Sequence, residues 1–407
     1  MSPVPTAPLP SRGAGALPLI AALGVTQVIG YGALYYAFAV LAPRMTASFG
    51  WAPEWTYGGL ALGLLAGGIA APTTGRLIDR HGTRLVMSIG SALAGLSLLA
   101  LAEARGPVGY FSAMIALEVV STMVLYDAAF AALTQARGAG ARRAISQLTL
   151  IGGFASTLFW PLTTTLLSQF DWRDIYRTYA VFQFGLCVPL HLFLLPGQAR
   201  RSASAAPPRP LGGGAPRMYL EGDARRSAFL LLALAFSLQG FVVSALSIHM
   251  LTMLQGLGLS AAVAVTIGAM VGPSQVAGRL VEMLFGAALE PVTTAWTSAV
   301  LMPLGLLLLL FGGTTPTLAG LFAIAFGISM GLASIVRGTV PLQLFGPAGY
   351  GAMLGKLSAP GLAVRAAAPL VFAVLIERAG HSPSILLLVV MSALAAVALF
   401  ALSRKLA

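Results

Sequence analysis

Charged residues are scarce in this chain, and so are cysteine and histidine. Only 9% of its 407 residues are Asp, Glu, Lys or Arg, whereas soluble domains carry about 25%. The single cysteine, Cys187, excludes a disulfide framework and a cysteine metal cluster. The four histidines are dispersed and show no spacing typical of metal ligands. We therefore expect neither a metal site nor a cofactor.

Catalytic motifs are also missing. No Gly-rich loop is followed by Lys and Ser or Thr, so we do not expect this chain alone to use ATP. The string Gly327-Ile-Ser-Met-Gly331 matches the pattern G-x-S-x-G, but it lies inside an apolar segment and not at a strand-to-helix turn. We predict that the chain is not an enzyme. A membrane-embedded enzyme or sensor is the alternative of another class, and no catalytic cluster or added soluble domain favours it.

Long apolar runs make up most of the chain. Hydrophobic residues account for 57% of it, and the mean hydropathy is +0.87. A helix needs about 20 apolar residues to cross the hydrocarbon core of a bilayer. Windows of this length predict an all-α membrane protein with twelve transmembrane helices, which start near residues 17, 57, 84, 109, 144, 175, 227, 260, 292, 317, 350 and 382.

Composition shifts divide the chain into two six-helix parts. One long polar segment, rich in Pro, Gly and Arg, separates the sixth window from the seventh, as expected of a flexible linker. The predicted units are a disordered N-terminal tail at 1–16, a first bundle at 17–196, a linker at 197–226, a second bundle at 227–403 and a C-terminal tail at 404–407.

Basic residues predict the orientation. If both chain ends are cytoplasmic, eighteen of the 24 Lys and Arg residues lie on that side, five lie on the other side, and Arg365 lies within the membrane. Cytoplasmic loops of membrane proteins are enriched in Lys and Arg. We therefore expect a multi-pass inner-membrane protein with both termini in the cytoplasm. Because the bases are scattered over segment ends, nucleic acid is not an expected partner.

A charged string lies between the second and third apolar windows. It runs from Gly75 to Arg84 as Gly-Arg-Leu-Ile-Asp-Arg-His-Gly-Thr-Arg, and its charge density predicts a short aqueous turn. The string resembles the signature loop of the major facilitator superfamily of transporters, Gly-x-Leu-x-Asp-Arg-x-Gly-x-Arg/Lys. The matching residues are Gly75, Asp79, Arg80, Gly82 and Arg84.

That resemblance implies a fold of twelve helices in two pseudo-symmetric six-helix bundles, and transport by alternating access. It also implies that the string is a conformational latch, in which Asp79 contacts the start of the eleventh helix. Internal repeats favour the same duplication. Gly75–Asp79 recurs as Gly278–Glu282 at an offset of 203 residues, and Asp127 lies opposite Arg337 at an offset of 210.

One arginine falls near the middle of a predicted helix. Ionisable groups at a bilayer centre cost at least about 2.5 kcal/mol, so they are functional candidates. Our hypothesis is that Arg365, in the eleventh helix, faces a central cavity and binds an anionic group of the substrate through two hydrogen bonds. In the alternative interpretation, Arg365 is structural and bonds backbone carbonyls beside Pro369.

The fourth helix carries two carboxylates. Glu118 and Tyr126 share one helical face, and Asp127 follows directly. We expect Asp127 to approach Arg337 across the two halves and to form a gate, and Asp127 to be a candidate site for a coupling proton. In the alternative interpretation, one or both charged groups of that pair reach interfacial water.

Polar and aromatic side chains supply further candidates for substrate binding. In the first helix, three of them repeat every fourth residue and form a stripe on an apolar helix. Amide and indole groups in the fifth and seventh helices add hydrogen-bonding and stacking capacity. Simple packing is the alternative interpretation for each. These candidates are Gln27, Tyr31, Tyr35, Gln147, Trp160 and Gln239.

Together these features predict a secondary active transporter of a small organic anion or metabolite, with proton coupling left open. Efflux of amphiphilic or cationic drug-like compounds is the alternative. The Gly-Pro-Gly-Gly-like motif found in the fifth helix of many drug antiporters is missing from Ile151–Pro161. The expected partners are a small-molecule substrate and the lipid bilayer, and we expect a monomer.

Overall fold

The computed structural model describes residues 16–197, 219–285 and 290–406. Nearly all of the predicted N-terminal tail and most of the predicted linker lie outside these ranges. Within them, all regular secondary structure is helical.

Twelve helical segments follow one another along the described chain. Eleven of them are long and apolar enough to cross a membrane. The exception, α6, is interrupted by a π-helical turn at Gln183–Cys187. The segments are α1 Leu17–Phe49, α2 Pro53–His81, α3 Thr83–Ala102, α4 Pro107–Arg137, α5 Ala141–Leu167, α6 Trp172–Phe182 with Val188–Leu194, α7 Gly222–Gly256, α8 Ala261–Phe285, α9 Pro291–Gly312, α10 Pro316–Phe345, α11 Tyr350–Ala379 and α12 His381–Leu406.

This architecture confirms the predicted class of an all-helical membrane protein. Each helix begins within about five residues of the start predicted from apolar windows. Two helices extend into segments that the sequence assigns to polar connections. The helix α7 begins at Gly222, inside the predicted linker, and α12 continues to Leu406, through the predicted C-terminal tail.

The helices form two halves, α1–α6 and α7–α12, which meet through a few specific pairs. The main contacts between the halves are those of α2 with α11 and of α5 with α8 and α10. Because twelve spans alternate in direction, both described chain ends, Ala16 and Leu406, lie at one face, which we call the terminal face. The contacts of α5 with the second half come from Ala141–Gly152, the part of α5 nearest to this face.

The pair α2 and α11 packs with its backbones nearly touching. A β-carbon at Gly75 would collide with the carbonyl group of Gly351, and one at Gly355 would collide with the carbonyl group of Ala71. Small residues allow membrane helices to approach this closely. The glycines of α2 and α11 therefore determine how tightly the halves close at the terminal face.

The charged string from Gly75 to Arg84 is mostly helical, so the predicted aqueous turn is wrong. The helix α2 continues to His81, and α3 begins at Thr83. Gly82 alone connects them, with φ at 89°, a backbone conformation that side chains with a β-carbon rarely adopt. The string is therefore a rigid helix end that presents its charges at the terminal face.

Candidate functional site

A cluster of tyrosines lines α1 where the helix changes its winding. The segment Gly32–Tyr36 is a π-helical turn, a feature that is frequent at functional sites. Tyr31 lies 6.5 Å from Tyr35 and 6.4 Å from Tyr36 between ring centroids, so the extra residue in this turn brings both rings close to Tyr31. Tyr36, which the stripe of every fourth residue leaves out, therefore belongs to the cluster.

Arg365 on α11 reaches this cluster. Its Nη2 donates a hydrogen bond to the hydroxyl of Tyr35 at 3.2 Å, and its guanidinium lies 5.7 Å from the centre of the same ring. Gly240 on α7 leaves room for the arginine stem, since a β-carbon there would lie 3.1 Å from the Arg365 Cγ. Arg365 has no ion-pair partner among the described residues.

Glu118 on α4 lies close enough to Arg365 for their charges to interact. The side chain is buried, with 8% of its surface exposed. Gly63 on α2 makes space for it, because a β-carbon at Gly63 would lie 2.8 Å from the Glu118 Cγ. A buried carboxylate inside a membrane span is costly when ionised, so it is a functional candidate.

Arg279 is a second cation that faces the first half, and it is buried within its helix. It lies within α8 with 6% of its surface exposed. Its Nε donates to the hydroxyl of Ser334 at 3.1 Å, while Nη1 is buried without a hydrogen-bond partner. That Nη1 fills the space beside Gly153, near the middle of α5.

Arg279 also faces the tyrosines of the first half. Its positive charge acts on the phenol groups of Tyr36 and Tyr126. Like Arg365, it has no ion-pair partner among the described residues. Sequence reasoning missed this residue because Arg279 and Glu282 belong to the repeat of the charged string that begins at Gly75, and that string was expected to be exposed.

Gln27 on α1 bonds the backbone at a break in α4. The helix α4 is interrupted at Leu125, whose ψ is −166°. The interruption frees the carbonyl of Val124, which accepts a hydrogen bond from Gln27 Nε2 at 2.8 Å. Backbone groups inside a membrane must be satisfied within the protein. Gln27 is completely buried, and its Nε2 makes this structural contact.

The break places Asp127 in the first turn of a new helical segment, which begins at Tyr126. A helix N-terminus favours a carboxylate at this position. Tyr126 packs its ring 4.6 Å from Tyr31 and 5.1 Å from Phe130, measured between centroids. The break in α4 therefore determines the positions of Tyr126 and Asp127.

Asp127 pairs with Arg337 of the second half, as the repeat predicts. Arg337 Nε donates to Oδ1 at 3.1 Å and Nη2 donates to Oδ2 at 2.9 Å, so the pair has two parallel hydrogen bonds. Ser358 on α11 donates to the same Oδ2 at 2.5 Å and accepts from Arg337 Nη2 at 2.8 Å. The three residues join α4, α10 and α11 across the two halves.

Asp79 joins the halves at a second point. Its two carboxylate oxygens accept hydrogen bonds from the backbone N–H groups of Gly351 at 3.0 Å and Ala352 at 2.8 Å. These amides belong to the first turn of α11, where the helix dipole favours an anion. Arg80 is exposed at the end of α2, and the guanidinium of Arg84 lies beside Gly197.

A third connection lies nearby, between α5 and α8. Arg142 Nη2 is 3.8 Å from Glu282 Oε1, and the carboxylate is buried. All three connections lie on the side of the molecule where Ala141–Gly152 contacts the second half. The structure therefore represents a state in which the terminal face is closed.

The remaining predicted residues lie in different places. Trp160 packs its ring 5.8 Å from Tyr36, with about half of its surface exposed, so it extends the tyrosine cluster. Gln239 is buried on α7. Gln147 lines a separate cavity between α1, α5 and α8, together with Arg137 and Arg143. Its predicted contact with substrate in the central region is therefore not supported.

The central region thus combines two arginines without carboxylate partners and a wall of tyrosines. Guanidinium groups bind carboxylates and phosphates through paired hydrogen bonds, and phenol groups can add hydrogen bonds to the same ligand. Among the described residues, no three His, Cys, Asp or Glu side chains are grouped so that they could hold a metal ion.

Comparison with known proteins gives one family match. The family model for the Major Facilitator Superfamily matches residues 23–358. No curated protein sequence matches the chain.

Two solved structures resemble the fold along almost its whole length. The human organic anion transporter MFSD10 superposes with a TM-score of 0.69 at 17% identity, covering 97% of this chain and 100% of its own. The proton:xylose symporter XylE, bound to 6-bromo-6-deoxy-D-glucose, has a TM-score of 0.69 at 14% identity, covering 94% and 95% of the two chains. At these identities the likeness concerns the fold alone.

Proposed function

Because this chain belongs to the major facilitator superfamily and is a membrane transporter, not an enzyme, we propose that it moves a small organic anion. The observation that carries this proposal is the pair of arginines in the central region, Arg365 and Arg279. Neither has a carboxylate partner among the described residues. Arg279 in particular is buried, and a cation buried without a counter-charge is costly. An anionic substrate would supply that counter-charge.

Arg365 is the primary anion-binding residue in this proposal. It lies near the centre of α11, and among the described residues its guanidinium makes one side-chain hydrogen bond, to Tyr35. Several N–H groups therefore stay available for a carboxylate. The free Nη1 of Arg279 supplies a second position, and Tyr31, Tyr36 and Trp160 supply an aromatic wall against the carbon skeleton of the substrate.

Efflux of a cationic compound is the weaker candidate. A cation would need a carboxylate that is free to face it. Asp127 is bonded to Arg337, and Glu282 lies beside Arg142. Glu118 lies within reach of the charge of Arg365. The resemblance to a human organic anion transporter agrees with the anion proposal, although it shows only the fold.

Transport would proceed by alternating access. With the terminal face assigned to the cytoplasm from the distribution of bases, the closed state described above is the outward-facing one. Movement to the inward-facing state must break the bonds of Asp79 to α11 and of Asp127 to Arg337. We further propose that both bonds are remade in each cycle.

Proton coupling fits the position of Glu118. An anion that binds Arg365 competes with Glu118 for the same positive charge. A proton on Glu118 removes that competition and lets the anion bind more tightly. Proton and substrate would then enter together, as symport of an anion with a proton. The bonded Asp127 serves as the gate in this scheme.

Substitution of Arg365 tests the proposal. The assay uses proteoliposomes and a panel of radiolabelled mono- and dicarboxylates. Arg365→Ala should raise the substrate concentration at half-maximal transport by about ten- to a hundredfold, because hydrogen bonds to charged groups contribute about 1.5–3 kcal/mol. Arg365→Lys should retain only part of the wild-type affinity, since lysine keeps the positive charge but lacks the planar guanidinium that forms two parallel hydrogen bonds. Arg378→Ala, an exposed arginine at the end of the same helix, is the control. Unchanged affinity in Arg365→Ala would overturn the assignment.

A further inference from the structure

A second cavity lies apart from the tyrosine cluster, at the terminal face. It has a volume of about 520 Å³ and is bounded by the start of α1, the first half of α5 and the end of α8. Most of its lining is apolar, and two arginines stand among the lining residues. These residues are Leu17, Ile20, Ala21, Arg137, Gly140, Arg143, Ala144, Gln147, Leu150, Ile151 and Met283.

The polar lining of this cavity carries positive charge. No acidic residue is among the described residues that line it. The Nε of Arg137 is buried and has no hydrogen-bond partner among the described residues. Arg143 is exposed, six residues further along the chain. An anionic group between Arg137 and Arg143 would neutralise both charges.

The apolar lining continues from the arginines along membrane-spanning helices. Leu17 is 77% exposed and Ala21 is exposed, so the wall formed by α1 is open on one side. Leu150 and Ile151 extend the opposite wall along α5 toward the middle of the membrane. A free phosphate ion would use the arginines and leave this apolar surface uncovered.

We propose that this cavity binds an anionic phospholipid of the leaflet at the terminal face. The phosphate and the charged headgroup lie between Arg137 and Arg143, and an acyl chain covers the surface from Leu17 to Ile151. Basic pockets between membrane helices on the cytoplasmic side bind such headgroups by the same chemistry.

The two halves both contribute to this lipid site. Met283 belongs to α8 of the second half, whereas the other lining residues belong to the first half. Its neighbour Glu282 faces Arg142 across the halves. A ligand shifts an equilibrium toward the state that it binds better. A lipid that contacts both walls therefore stabilises the state in which the terminal face is closed.

Lipid binding to the purified full chain tests this inference. Native mass spectrometry would compare phosphatidylglycerol with phosphatidylcholine of the same acyl chains. The wild type should prefer phosphatidylglycerol. In the double variant Arg137→Gln/Arg143→Gln, the ratio of phosphatidylglycerol to phosphatidylcholine binding should fall about fivefold for each arginine removed. The double variant Arg105→Gln/Arg378→Gln removes two exposed arginines elsewhere and should keep the preference.

Two further experiments distinguish binding in this cavity from general attraction of anionic lipid to positive charge. Met283→Trp leaves every charge in place but fills the cavity, so it should weaken phosphatidylglycerol binding about as much as loss of one arginine. If Met283→Trp does not fold, Ile20→Trp is used in its place, because it fills the same cavity from the side of α1. Glycerol 3-phosphate, which has no acyl chain, should not compete. Preference that survives removal of both arginines, binding unaffected by filling of the cavity, or full competition by glycerol 3-phosphate would each overturn the inference.

Discussion

Four arginine side chains lie where the two halves face each other, and their partners divide them into two kinds. Arg337 and Arg142 each face a carboxylate of the opposite half. Arg279 and Arg365 have hydroxyl or amide partners only, among the described residues. The ion pairs of the first kind cross between the halves, so they must break for the halves to separate. The unpaired ones remain available for an anion, which is why we assign gating to the first kind and binding to the second.

Reversal of the gate charges gives the first prediction. Asp127→Arg and Arg337→Asp should each reduce transport by about tenfold or more, because each leaves like charges facing each other and breaks hydrogen bonds to charged groups that contribute about 1.5–3 kcal/mol. The double variant restores opposite charges and should recover part of the activity. Uptake of the carboxylate panel into proteoliposomes, corrected for protein content, measures both effects.

The exposed pair of Glu103 and Arg177 supplies the matched control for this cycle. Its atoms approach to 2.6 Å, but both side chains are more than 40% exposed. Exposed pairs contribute only about 0–1 kcal/mol, so Glu103→Arg should leave transport nearly unchanged. If the double variant of Asp127 and Arg337 recovers nothing while its fold is intact, the gate assignment fails.

Replacement of Glu118 tests the coupling scheme. Glu118→Gln keeps the size of the side chain against Gly63 but removes its charge and its capacity to carry a proton. Net uptake should lose its stimulation by an imposed proton gradient, whereas exchange of substrate across the membrane should continue. The measurement compares gradient-driven uptake with counterflow in the same liposomes. Equal stimulation of the wild type and the variant would refute a role for Glu118 in coupling.

Among the helices, length and position were predictable from sequence, but internal breaks were not. Windows of 20 apolar residues predict the helix starts because the bilayer thickness determines the required length. The interruption at Leu125 has no proline, and its freed carbonyl finds its partner in Gln27, 97 residues earlier in the chain. The π-helical turn of α1 likewise packs Gly32 against Phe159 of α5. Such partners are distant in sequence, so local patterns do not reveal them.

Contacts between residues distant in sequence also explain which features of the central region could be predicted and which could not. The pairing of Asp127 with Arg337 could be predicted because the internal repeat relates their positions. The buried place of Arg279 could not, because its partner Ser334 lies on another helix of the second half and its space is provided by Gly153 of the first half. A charge near the end of an apolar run reads as interfacial unless these contacts are known.

The close contact of α2 with α11 gives a prediction about conformation. Gly75→Val should force the two helices apart, since overpacking a tight contact costs about 1–3 kcal/mol. The closed terminal face should then open more often. The labelling rate of a cysteine introduced as Leu354→Cys, a residue buried at this interface, should rise about tenfold or more in a Cys187→Ser background.

Gly58, on the same helix, provides the control. A β-carbon at Gly58 would meet no atom within 4 Å. Gly58→Val should therefore leave the labelling rate of the introduced cysteine unchanged. Equal rates in Gly75→Val and Gly58→Val would show that the glycine contact does not determine closure.

At the scale of the whole molecule, three polar connections among the described residues join the two halves at one face. Asp79 reaches α11, Asp127 reaches Arg337, and Arg142 reaches Glu282. Away from this face, the part of α5 that carries Trp160 leaves that side chain about half exposed. The tyrosine cluster and the two unpaired arginines lie between the halves. This arrangement suits a protein that exposes a central anion site to one side of the membrane at a time.

Counterflow by the wild-type protein tests this account most directly. Proteoliposomes would be assayed with radiolabelled monocarboxylates, dicarboxylates, neutral sugars and amphiphilic cations, with and without an imposed proton gradient. We predict exchange of at least one carboxylate, no exchange of the cations, and stronger net uptake when the gradient is present. Exchange of amphiphilic cations without exchange of any carboxylate would contradict the account.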